Sequence, residues 1–189
     1  NLLLKTFLGL FYVGIPHGIC LAGLGIAAGI VSFLAFWAVL FTGNYPQSFF
    51  RLVEGTFRWQ WRVNSYLYLL HDEYPGFTLE NEGPLNFNVE YPHKLGRAHL
   101  LVRALFGWSY CFIPHAFCLT FRLMAQVVVS FLAWWAILFT GKMPESFFNF
   151  TVGSLRWSAN LAAYVNFLTD EYPPFSGKEE LPISQGVAM

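Results

Sequence analysis

The chain has 189 residues, of which 56% are hydrophobic, 20% aromatic and only 12% charged, with a mean hydropathy of +0.46. A soluble domain carries about 25% charge and must present polar groups to water, so this composition argues against a water-soluble globule and for a lipid environment. The formal net charge is zero, which leaves no basic field to hold nucleic acid.

Residues 6–43 hold no charged side chain. Because about 20 residues cross a hydrocarbon layer, Pro16 is expected to divide this stretch. A short apolar helix to about Gly14 precedes a spanning helix from about Pro16 to Phe41, proline being well placed in a first turn. That helix is roughly 39 Å long and spans with tilt. Gly23, Gly25, Ala27, Ala28 and Gly29 give it a small-residue face suited to helix packing, and Phe36 and Trp37 suit an interfacial aromatic belt. Thr42-Gly43-Asn44-Tyr45-Pro46 reads as a turn.

Residues 46–71 form a second helical segment, in which Arg51, Glu54, Arg58 and Arg62 fall on one stripe and Glu54 precedes Arg58 at a favourable spacing. The segment either crosses with this stripe against protein or lies in the interface with arginines reaching phosphates. Two copies in one orientation need an even number of crossings each, which favours two per unit and four in all. Residues 72–98 are a polar linker. Alternation in 77–80 and 87–90 around Gly83-Pro84 suggests a β-hairpin there, and residues 176–189 read as a frayed tail.

Everything then happens again, 98 residues later. Ile15-Pro16-His17 returns as Ile113-Pro114-His115, Leu40-Phe41-Thr42-Gly43 as Leu138-Phe139-Thr140-Gly141, Arg58-Trp59 as Arg156-Trp157, and Asp72-Glu73-Tyr74-Pro75 as Asp170-Glu171-Tyr172-Pro173. Of 73 aligned positions between 5–77 and 103–175, 33 are identical, with no gap. The matches include His, Arg, Asp, Glu and Pro at fixed spacing, so the chain is a tandem duplication. The expected organisation is a first membrane repeat over 1–77, a linker and lead-in over 78–98, a second repeat over 99–175, and the tail. The second copy has a lead-in that the first lacks, so the native chain is expected to extend N-terminally by at least a dozen residues.

Two constellations stand out. His17 and Cys20, repeated as His115 and Cys118, lie at i and i+3 on a helix face. Brought together they would offer tetrahedral zinc ligands, or two histidines for a haem. The plainer reading is a histidine bonded to backbone or headgroup beside small buried cysteines, so no cofactor is predicted and zinc or haem is the minor alternative. The second set is Arg51, Arg58, Arg62 and Arg156 with Asp72, Glu73, Asp170 and Glu171. It reads as ion pairs or lipid-phosphate contacts that fix helix depth, with proton or ion relay as the lesser option. The adjacent carboxylates do not face each other on a helix, so they are no obvious acid/base pair. No catalytic residue is predicted, since no nucleophile elbow, P-loop or dinucleotide fingerprint is present.

With Ile-Pro-His, Leu-Phe-Thr-Gly-x-x-Pro, Arg-Trp and Asp-Glu-Tyr-Pro-Pro-Phe in this order, the chain resembles a bacterial membrane family catalogued as domain of unknown function 4389, in two tandem copies. It departs from strict repetition at Gly76, where the second copy has Pro174, and at Arg62, where it has Asn160. The resemblance implies an all-α integral membrane protein of the bacterial inner membrane and no agreed activity. The expected function is a non-catalytic scaffold or accessory subunit of a larger membrane complex, in contact with lipids and other membrane subunits. A lipid- or small-molecule-binding or transport protein is the first alternative, and a haem- or metal-binding redox subunit the second.

Overall fold

The computed structural model describes residues 2–83, 87–92 and 94–178. Helix α1 (Leu2–Gly9) passes through a π-helical turn (Leu10–Gly14) into α2 (Ile15–Thr42), and α3 (Gln47–Leu67) returns alongside. The second copy repeats this as α4 (Arg97–Gly107), a π-helical turn (Trp108–Phe112), α5 (Ile113–Thr140) and α6 (Glu145–Val165).

Pro16 does not divide the first stretch, contrary to expectation. Leu2–Thr42 is one continuous rod of 41 residues, and Arg97–Thr140 is another of 44. A proline inside a helix removes one N–H and collides with the carbonyl four residues back. Here the preceding turn widens instead: the Ile15 N–H bonds to Leu10 O, five residues back, and the second copy does the same between Ile113 and Trp108. The extra residue gives the proline ring room without a break.

Both rods end alike. Gly43 and Gly141 adopt φ of 77° and 71°, a left-handed conformation that glycine takes without a Cβ penalty. Their N–H groups bond to Val39 O and Ile137 O at 2.7 and 2.8 Å. Pro46 and Pro144 then start α3 and α6.

Among the described residues two helical rods, not four helices, are long and apolar enough to cross a membrane. Helices α3 and α6 form a second layer, packed against their own rods and against each other. The core joins the copies: Ala28, Ala35 and Val39 of α2 meet Ala159, Ala163 and Leu168 from the end of the second unit. The rods run antiparallel. Thr6 Oγ1, at the start of the first, accepts from Trp134 Nε1 near the end of the second at 2.7 Å. At the other end the Leu95 N–H bonds to Gly43 O at 3.1 Å.

Only part of the small-residue face packs within the chain: Ala28 is buried in the core, whereas a Cβ added at Gly23, Gly25 or Gly29 would meet nothing within 4 Å. The linker is not a hairpin either, and no strand occurs among the described residues; Pro84 at the expected turn lies outside them. The linker's backbone groups are claimed by α3 side chains. Arg58 and Arg62 donate to the carbonyls of Thr78, Leu79, Glu80, Glu82 and Phe87, and Glu54 accepts the Val89 N–H at 2.9 Å. A segment whose polar groups are spent this way has no ladder left to form.

Candidate functional site: a repeated His-Trp-Tyr lock

The freed carbonyl under each proline organises the site. In a regular helix the Pro16 position would donate to Tyr12 O. That carbonyl instead accepts from the Tyr74 hydroxyl at 3.3 Å, and Tyr110 O accepts from Tyr172 in the second copy, also at 3.3 Å. Tyr74 and Tyr172 belong to the Asp-Glu-Tyr-Pro segments that follow α3 and α6. Each tyrosine thus pins its segment over the π turn.

The histidine next to each proline completes the lock. His17 and His115 are fully buried. Trp59 Nε1 donates to His17 Nδ1 at 2.9 Å, and Trp157 Nε1 donates to His115 Nδ1 at the same distance. An accepting Nδ1 puts the proton of a neutral imidazole on Nε2. His17 Nε2 then donates to the Tyr74 hydroxyl at 3.2 Å. His17 also stacks on Phe77, and His115 on Phe175, each with ring centroids 3.9 Å apart. Ile-Pro-His, Arg-Trp and Asp-Glu-Tyr-Pro-x-Phe, far apart in sequence, therefore meet in one aromatic cluster per copy. One difference separates them: among the described residues His115 Nε2 has no hydrogen-bond partner.

The zinc or haem arrangement does not assemble. Cys20 and Cys118 are exposed on the rods while their histidines are buried, and each His Nδ1 is already occupied by an indole. Among the described residues no group of three or more His, Cys, Asp or Glu side chains converges.

The charged set separates into locks and surface. Arg58 donates to Phe87 O, Leu79 O and Asn88 Oδ1 at 2.8–2.9 Å and pairs with Glu54 at 3.0 Å. Arg156 donates to Gly177 O at 2.9 Å, the position equivalent to Leu79, so residues 176–178 of the expected frayed tail are docked; 179–189 lie outside the described residues. Gly55 and Gly153 make this approach possible, since a Cβ at Gly55 would stand 2.9 Å from Leu79 Cβ. Arg62 is buried under Thr78, Glu80 and Glu82 carbonyls. Glu54, Arg58 and Arg62 of the α3 stripe therefore lie beneath the linker, while Arg51 is exposed.

Asp72 and Asp170 each meet a basic residue that sequence reading passed over. Lys5 pairs with Asp72 at 2.7 Å, and Arg103 pairs with Asp170 at 3.3 Å. Lys5 and Arg103 are also 98 residues apart. Their shared charge, not identity, was the available signal. Each cation also reaches a carbonyl of the same segment, His71 O or Thr169 O. The hydrogen bond from Lys5 holds the Asp72 carboxyl below the usual carboxylate range. Burial, and secondarily the Lys5 ammonium, pushes His71 below its ordinary value. Glu73 and Glu171 are exposed beside these pairs. Arg122, also unremarked in the sequence, turns inward to Ser154 Oγ at 2.9 Å and over the Phe150 ring.

Fold and site together define a duplicated helical protein with two long apolar rods and a structural lock in each copy. The chain belongs to the family described as Domain of unknown function (DUF4389), whose family profile matches residues 4–78 and 97–177, one segment per copy. No curated protein and no solved structure matches the chain.

Proposed function

We propose that this protein is a non-catalytic, membrane-embedded subunit of the bacterial inner membrane, a scaffold or accessory component that holds lipid on its rods and other membrane subunits on its remaining faces. One observation carries the reading. The residues that recur between the copies and could have done chemistry, His17 with Trp59 and Tyr74, Arg58, and Asp72, are engaged in hydrogen bonds and ion pairs that tie each copy together. Side chains spent on rigidity favour a framework over a reaction centre. Extraction in mild detergent followed by native mass measurement tests it. The expected species is heavier than the 21.6 kDa chain and has a fixed partner stoichiometry. A stable lone monomer would overturn the scaffold reading.

A narrower second reading, lipid holding, has its own observation. A half-open cavity of about 260 Å³ lies between α4 and α6, walled by Trp108, Phe112, Val165 and Phe167, with Arg103 at one side. An apolar groove of this kind suits an acyl chain. Filling it with Ala104→Trp should remove a lipid that co-purifies with the native chain in native mass spectrometry. Unchanged lipid retention would dismiss this reading.

A further inference from the structure

We infer that the two rods lie flat, parallel to the membrane plane within one leaflet, so that one broad apolar face of the molecule rests on acyl chains and its α3–α6–linker layer faces water. The inference deepens the membrane placement proposed above and rests on it.

Length is the first reason. Exposed apolar side chains run along the first rod from Leu3 to Phe41 and along the second from Leu101 to Phe139. Each interval covers 39 residues, about 57 Å of helix from first to last, against about 30 Å of hydrocarbon. Fitting such a strip into the core by tilting requires about 58° from the membrane normal, outside the 0–40° range of crossing helices. No exposed side chain in either interval is charged: Lys5 and Arg103 are buried, and Arg122 turns inward. The rods therefore want lipid along their whole length, not over a central third.

The position of the linker is the second reason. Helix α3 runs antiparallel to its rod with Trp59 level with His17. Glu54 then falls near the level of residue 22, the middle of the rod. Glu54 accepts the Val89 N–H, so the exposed Glu90 sits beside the rod's midpoint. Exposed Glu80 and Glu82 lie further along the same segment, over Arg62. Upright rods would carry these carboxylates and a non-helical backbone to the bilayer centre, where neither is tolerated facing lipid. With the rods flat, the same groups project to water.

The antiparallel rods supply the third reason. Upright, they would set the two copies upside down relative to each other. Flat, both copies present the same side to water. Along the inner helices the exposed residues agree, Arg51 and Gln60 on α3 and Glu145 and Asn149 on α6 being polar, with only the terminal Leu67 and Val165 exposed and large apolar. Interfacial helices of this kind sink about 5–10 Å into the headgroup and acyl boundary.

The test uses the full chain in vesicles of three parts phosphatidylcholine to one part phosphatidylglycerol. Polarised infrared spectroscopy of the unmodified protein reads helix direction, and nitroxide labels at Phe7→Cys, Ile19→Cys, Ile30→Cys and Phe41→Cys, on a background with the native cysteines replaced, read depth. Flat rods give helix axes near the membrane plane, four similar depths, and labelling of both Glu82→Cys and Asn149→Cys by an impermeant maleimide from the same side. Helix axes near the membrane normal, or depths deepest at Ile19 and Ile30 and shallow at Phe7 and Phe41, overturn the flat placement while leaving membrane residence intact. Failure of the chain to associate with vesicles overturns both.

Discussion

The Trp59–His17 hydrogen bond is the most direct probe of the lock, because both partners are buried and both can be made apolar. Trp59 is 5% exposed and His17 fully buried, with Nε1 to Nδ1 at 2.9 Å. Trp59→Phe leaves the imidazole acceptor without a donor. A buried unsatisfied group costs about 1–3 kcal/mol, to which the smaller ring adds about 1 kcal/mol of lost packing. His17→Phe keeps the stack on Phe77 but strands the indole N–H, again at about 1–3 kcal/mol. In the double variant no polar atom of the pair remains to be stranded. Its cost should fall short of the sum of the singles by at least about 1 kcal/mol. Reversible unfolding in mild detergent, followed by far-ultraviolet circular dichroism, measures all four species. The same cycle at His115 and Trp157 should give a similar coupling, since the geometry repeats. Additivity within about 0.5 kcal/mol in both copies would refute the lock.

Other outcomes follow from the same contacts. Tyr74→Phe should destabilise more than Tyr172→Phe, by about 0.5–1.5 kcal/mol in the same unfolding assay, because Tyr74 bonds to both Tyr12 O and His17 while Tyr172 bonds to Tyr110 O. Arg58→Gln breaks a pair buried under the linker and should cost about 3–5 kcal/mol, with new protease cleavage between residues 79 and 90. Gly177→Ala places a Cβ 2.2 Å from Gly153 O, so the docked tail must lift; limited proteolysis should cut after Pro174 in the variant and not in the parent. His71 is held neutral in the fold, so the unfolded chain takes up the proton first as pH falls below about 6.5, and stability declines over that interval. His71→Gln should flatten this decline in unfolding measured between pH 7.5 and 5.5, leaving the loss from Asp72 to appear only in the more acid range.

Much of the architecture was legible because the duplication is ungapped. Residues that recur at an offset of 98, among them Pro16, His17, Trp59 and Tyr74, turned out to be those that meet in space. What the pattern did not disclose has physical causes. Proline at a helix start and proline after a π turn look the same in sequence, since both depend on a missing N–H; only the Ile15-to-Leu10 bond distinguishes them. The alternation in 87–90 is real in burial, with Phe87 and Val89 buried, Asn88 half-buried on Arg58 and Glu90 exposed. It records an extended segment laid on α3, not pairing with a second strand. Glycines in a greasy helix suggested packing, yet Gly23, Gly25 and Gly29 face open space within this chain. The histidines and cysteines shared a helical spacing, but rotation about the rod sends the imidazole inward and the thiol outward. Lys5 and Arg103 stand at the same offset but share charge and not identity, so the repeat of identical residues does not mark them.

The claim beneath all of this is that lipid covers the exposed faces of both rods. Alkaline carbonate washing of membranes from cells expressing the chain, followed by detergent extraction, tests it most directly. Retention in the washed pellet, with release only by detergent, is the predicted result. Recovery of monodisperse chain in the carbonate supernatant, stable without detergent, would contradict it.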